Sequence, residues 1–122
     1  MGLAPWLSVR DSEAAVRFYT TAFGAEEAYR LPGAGIVRLR AFDAEFWIGG
    51  LDAAAAPEPA SVGGGTVRMI LTVADPDTVF AQALAAGATE VFPVGEAHGW
   101  RLGRLVDPFG LHWEIGRPLQ AS

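Results

Sequence analysis

At 122 residues, 51% hydrophobic and 19% charged, the chain has the size and composition of one ordinary folded domain. A net charge of −5 excludes the basic face that nucleic acid requires, and the absence of cysteine excludes disulfides, thiolate nucleophiles and cysteine-based metal sites. All nine basic residues are arginine, so no Schiff-base lysine is available.

Met1 to Trp6 shows no basic stretch leading into an apolar run, and Trp6 stands where a myristoylation signal needs Ser or Thr. No apolar run approaches the ~20 residues of a membrane span. The expectation is a cytoplasmic protein with neither membrane nor nucleic-acid partners. Trp6 to Val9 reads as a strand, followed by a helix that Asp11 caps and Gly24 ends. Ala15, Tyr19, Ala22 and Phe23 recur within it at helical spacing. Strands follow around Glu27 to Arg30, from Ile36 to Phe42 and from Glu45 to Ile48. Residues 51–65, rich in Ala, Pro and Gly, read as a flexible joint; Gly63 to Gly65 lacks the following lysine of a phosphate loop. Then come a strand from Met69 to Val73 and a helix from Asp75 and Pro76 to Gly87. The last strands run from Glu90 to Val94, Leu102 to Val106 and His112 to Ile115.

The chain repeats itself. Val9-Arg10-Asp11-Ser12 answers Val73-Ala74-Asp75-Pro76, Ala22-Phe23-Gly24-Ala25 answers Ala85-Ala86-Gly87-Ala88, and Phe46-Trp47-Ile48-Gly49 answers Trp113-Glu114-Ile115-Gly116. Each half reads βαβββ, giving modules of about 1–50 and 66–118. A helix covers only one face of such a sheet, so the other face needs a second module from this chain or another copy.

With this punctuation, Asp11 through Phe18-Tyr19, Ala22 to Ala25, and the closing run Gly103 to Glu114 resemble the vicinal oxygen chelate superfamily. The likeness is to its small glyoxalase/bleomycin-resistance-like proteins. The resemblance implies an α+β fold in which two βαβββ modules form a curved mixed-sheet cup, and it suggests a homodimer. It also implies metal-ligand positions on the first and last strand of each module, here Ala4, Trp47, Arg68 and Glu114. Of these four, only Glu114 offers a ligand atom for a divalent cation. A slip of two residues would bring in Glu45 and His112, so Glu114, His112 and Glu45 are the metal ligands if a metal is present.

Strand alternation sends Leu7, Val9, Phe46, Ile48, Met69, Leu71, Val73, Trp113 and Ile115 toward the helices. The opposite faces receive Trp6, Ser8, Glu45, Trp47, Arg68, Ile70, Thr72, His112 and Glu114, with Arg38 and Arg40 as further candidates. That second set suits a solvated ligand pocket better than a packed core. Trp6 and Trp47 either stack on a ligand or fill space. Arg68 and Glu114 form an ion pair, or Arg68 binds a ligand carbonyl or carboxylate with Glu114 orienting it. His112 is a structural hydrogen-bonding residue or a general base. Trp100, in a loop that includes His98, either caps a strand or acts as a lid.

Two functions follow. The first is a metal-free, cofactor-free protein that binds a small aromatic or cationic molecule, such as an antibiotic, and sequesters it. The alternative is a metal-dependent glyoxalase-type lyase, isomerase or dioxygenase using Glu114 with a divalent metal ion. The ligand count favours the first and leans against an enzyme.

Overall fold

A computed structural model describes residues 2–50 and 67–119; the 51–65 joint lies outside them. The chain divides into two compact units, one carrying β1 to β4 and the other β5 to β8.

The first unit holds β1 (Trp6–Val9), α1 (Ser12–Phe23), β2 (Glu26–Leu31), β3 (Ile36–Ala41) and β4 (Ala44–Gly50). α1 starts where the Asp11 carboxylate accepts a hydrogen bond from the Ala14 N–H at 3.0 Å. It ends at Gly24, whose φ of 68° is the left-handed conformation that a side chain would resist. Its buried stripe, Ala15, Phe18, Tyr19, Ala22 and Phe23, lies against β3 and β4. The Tyr19 ring meets Phe46 edge to face with centroids 5.4 Å apart, and Leu7, Val9, Val37, Leu39 and Ile48 complete that core.

The second unit repeats the plan with β5 (Arg68–Thr72), α2 (Pro76–Ala86), β6 (Thr89–Ala97), β7 (Trp100–Val106) and β8 (His112–Pro118). Asp75 caps α2 by accepting from the Thr78 N–H and hydroxyl, and Pro76 occupies its first turn. Phe80 and Ala83 are buried from the helix side, with Leu71, Leu105, Trp113 and Ile115 from the sheet.

The sheets run β1-β4-β3-β2 and β5-β8-β7-β6, parallel at β1/β4 and β5/β8 and antiparallel elsewhere. Register is repeated as well as order. Trp6 sits opposite Trp47 and Leu7 opposite Ile48, while Ile70 sits opposite Glu114 and Leu71 opposite Ile115. The α+β fold expected from the sequence is therefore present.

Two expectations need correction. The segment around His98 and Trp100 is a tight hairpin and not a loop. His98 (φ 55°) and Gly99 (φ 80°) make the whole turn, and Trp100 is already in β7, paired with Ala97 and Pro118. The Trp100 backbone is thus fixed by strand pairing on both sides and does not belong to a loop. Likewise Phe42 does not extend β3. With Asp43 it forms the β3–β4 turn, at φ values of 50° and 73°.

The closing motif has a structural task. The Asp107 carboxylate, on a residue only 4% exposed, accepts hydrogen bonds from the Phe109 and Leu111 N–H groups at 2.9 and 3.0 Å. Its other oxygen accepts from the Trp113 indole at 2.9 Å. One side chain thus shapes the β7–β8 turn and anchors the largest aromatic residue of that core. Asp107→Ala should cost about 2–4 kcal/mol by leaving buried donors unpaired. Thermal denaturation should show this as a drop in Tm of roughly 10 °C or more.

Candidate functional site

In the first unit, the sheet face opposite α1 carries an aromatic and charged cluster. Trp6 and Trp47 stack with centroids 6.3 Å apart and planes 17° from parallel. Half of Trp6 remains exposed, at 51%. Its indole N–H donates to the Ser8 hydroxyl at 3.2 Å, and its ring lies over Gly49. A Cβ at Gly49 would stand 2.0 Å from the ring, so any side chain there would push Trp6 off the sheet. Tyr29 meets Trp47 edge to face at 6.0 Å. The Arg38 guanidinium lies over both rings, 5.4 Å from the Trp47 centroid and 5.9 Å from that of Tyr29.

Glu45 supplies the negative charge. One of its oxygens accepts from Arg40 at 2.9 Å, while the other lies 3.7 Å from Arg38 Nε. Arg38, Arg40, Glu45 and Trp47 line a cleft of about 860 Å³ together with the segment Gly2 to Pro5. The Trp47 N–H holds that segment through the Pro5 carbonyl.

The corresponding face of the second unit is polar. Arg68 Nε and a Glu114 oxygen are 2.7 Å apart, so the ion pair expected between them is formed. Arg104 Nε donates to His112 Nδ1 at 3.0 Å. An imidazole that accepts at Nδ1 carries its proton on Nε2 and is neutral. Burial holds the His112 pKa below its ordinary value, and the Arg104 and Arg68 charges add to the effect.

The donor set does not fit a divalent cation. Of the positions named by the resemblance, Ala4 and Trp47 have no ligand atom, Arg68 is cationic, and Glu114 is engaged by Arg68. The residues two positions away are also engaged, Glu45 by Arg40 and His112 by Arg104. Among the described residues no three of His, Asp and Glu gather as a metal site would need.

The structure thus groups Trp6, Trp47 and Glu45 in the first unit, and Arg68, His112 and Glu114 in the second. Trp100 begins β7, paired with Ala97 and Pro118. Sequence reasoning missed Tyr29. The repeat holds its only signal, since Tyr29 opposite Arg38 answers Phe92 opposite Arg104.

Comparison with known proteins adds four findings. A family model described as a glyoxalase-like domain matches residues 6–116. An uncharacterized protein of Mycobacterium bovis is 37% identical over 131 residues, covering 97% of this chain and 84% of its own length. Among solved structures, a gene product from Arabidopsis thaliana is similar at 28% identity with a TM-score of 0.78, covering 96% of this chain and 98% of that one. A glyoxalase/bleomycin resistance protein/dioxygenase family enzyme from Burkholderia phytofirmans reaches a TM-score of 0.81 at 23% identity, covering 98% and 100%.

His112 generates a pH prediction. Its folded pKa lies below the unfolded value, so the unfolded chain takes up the proton first as pH falls. The neutral pairing with Arg104 is fully kept above the ordinary histidine pKa, near 6.5, and the stability tied to it declines as pH drops below that. Thermal melts from pH 7.5 to 5 should therefore show the wild type losing more stability than His112→Gln, a variant that cannot titrate.

Proposed function

We propose, from the premise that this chain belongs to the glyoxalase-like family of the vicinal oxygen chelate superfamily, that it binds a small planar molecule without a metal. The observation that carries this is the first unit's cleft, walled by Trp47 with Trp6 and Tyr29 packed against it. Rigid aromatic walls with a few convergent polar groups are the usual makeup of small-molecule sites. Sequestration of an aromatic compound, an antibiotic among the candidates, is the role this supports. The cationic ligand anticipated from composition is less well supported, because Arg38 already occupies the ring faces that would attract a cation. A metal-dependent lyase or dioxygenase has Glu114 as its base or ligand, and Arg68 holds that carboxylate.

The same proposal includes a homodimer in the cytoplasm. Among the described residues no helix is long and apolar enough to cross a membrane. Ile70 on β5, 65% exposed, and Val91 on the outer strand β6 offer apolar surface for a second copy to cover. Light scattering at micromolar concentration should give twice the monomer mass, and a monomer would remove this part.

The binding test uses 2-naphthalenemethanol, a neutral planar probe, followed by calorimetry. Wild type should bind it, and Trp47→Ala should weaken binding roughly 10-fold while keeping the wild-type circular dichroism spectrum. Equal affinity in Trp47→Ala would return that residue to a packing role. Metal analysis of protein purified without chelator should find far less than one equivalent. A full equivalent that disappears in Glu114→Ala would overturn the metal-free reading.

A further inference from the structure

The two units carry equivalent arginines. Arg38 pairs across the sheet with Trp47, and Arg104 pairs in the same way with Glu114, the residue matching Trp47. The residue that each arginine can reach on the last strand also matches. It is Glu45 in the first unit and His112 in the second, paired with Arg40 and Val106 respectively.

In the second unit the arrangement is satisfied, since Arg104 Nε donates to His112 Nδ1 at 3.0 Å. In the first it is not. Arg40, where the second unit has Val106, draws Glu45 into hydrogen bonds at 2.9 and 3.3 Å. The remaining Glu45 oxygen stays 3.7 Å from Arg38 Nε, beyond hydrogen-bond length. Arg38 Nε is consequently buried with no hydrogen-bond partner among the described residues. Its guanidinium lies over the Tyr29 and Trp47 rings, on a side chain 34% exposed at the cleft.

We infer that Arg38 is the receptor for an oxyanion on the ligand, and that the ligand class is a planar aromatic carboxylate. This rests on the reading of the cleft as a binding site and narrows it. A guanidinium is a rigid fork of five donors matched to a carboxylate, and its position over the Tyr29 and Trp47 rings restricts where that fork can go. With Nε buried and Glu45 beyond hydrogen-bond length, the guanidinium's charge is incompletely matched, and an arriving carboxylate would match it at the terminal nitrogens. The aromatic part of the same ligand would lie along Trp47, within reach of the indole while its carboxylate meets Arg38. A cationic ligand would face Arg38 and Arg40 together, and a neutral one would leave the donors unpaired.

Three probes of one shape test this by calorimetry: 2-naphthoate, 2-naphthalenemethanol and 2-naphthylmethylammonium. The expected order is naphthoate tightest, by about 10-fold or more over the alcohol, with the ammonium weakest. Arg38→Gln should abolish the preference for naphthoate while still binding the alcohol, and Arg38→Lys should restore only part of it. Wild-type circular dichroism spectra for both variants exclude misfolding as the cause. Equal affinity for naphthoate and the alcohol, or a preference that survives Arg38→Gln, overturns the inference and leaves the cleft a binding site. Failure of all three probes to bind wild type overturns the binding reading, and the inference with it.

Discussion

Parallel pairing of the first and last strands of each unit, in one fixed register, decides everything else on these sheets. Side chains along a strand alternate between faces, so a register that buries Leu7 with Ile48 must place Trp6 beside Trp47 on the other face. The same rule in the second unit buries Leu71 with Ile115 and places Ile70 beside Glu114. The helices hold the register by covering only the apolar side. Asp107 reinforces it in the second unit by tying Trp113 to the turn ahead of β8.

On this shared frame the two units have acquired different chemistry through a few substitutions. Where the first has Trp6, Trp47 and Glu45, the second has Ile70, Glu114 and His112. The consequence is an internally neutralised face in the second unit, where Arg68 meets Glu114 and Arg104 meets His112. The first unit instead has aromatic walls and an arginine whose Nε has no hydrogen-bond partner among the described residues. The contrast turns on how acceptors are distributed. The β3 and β4 strands carry two arginines and one carboxylate, and Arg40 takes it.

Much of the fold was legible because its signals are local. Aspartate caps, glycine helix ends and period-two alternation each act within a few residues, and their recurrence about 64 positions later made the duplication visible. The ion pair of Arg68 with Glu114 was legible too, since the resemblance puts both at positions that converge on one metal in related enzymes, and the repeat supports that frame. Trp100 was misplaced because Gly95 and Gly99 bracket a run without clear alternation, and β6 holds Pro93 amid shifts in register. The isolation of Arg38 could not be read at all. It depends on which of two arginines Glu45 favours, a matter of about 1 Å that no residue pattern encodes.

The two-residue turns at Phe42–Asp43 and His98–Gly99 bear on how such a protein can diversify. Each turn fixes the phase of the strand that follows it, with no slack to absorb a length change. One residue gained or lost in the β3–β4 hairpin would rotate Glu45 and Trp47 into the hydrophobic interior and turn Phe46 and Ile48 outward. Relatives on this scaffold can therefore explore new specificities by exchanging side chains at fixed positions. Single-residue changes in these hairpins would swap the faces, so the diversity of such a lineage should be concentrated in point substitutions on one sheet face.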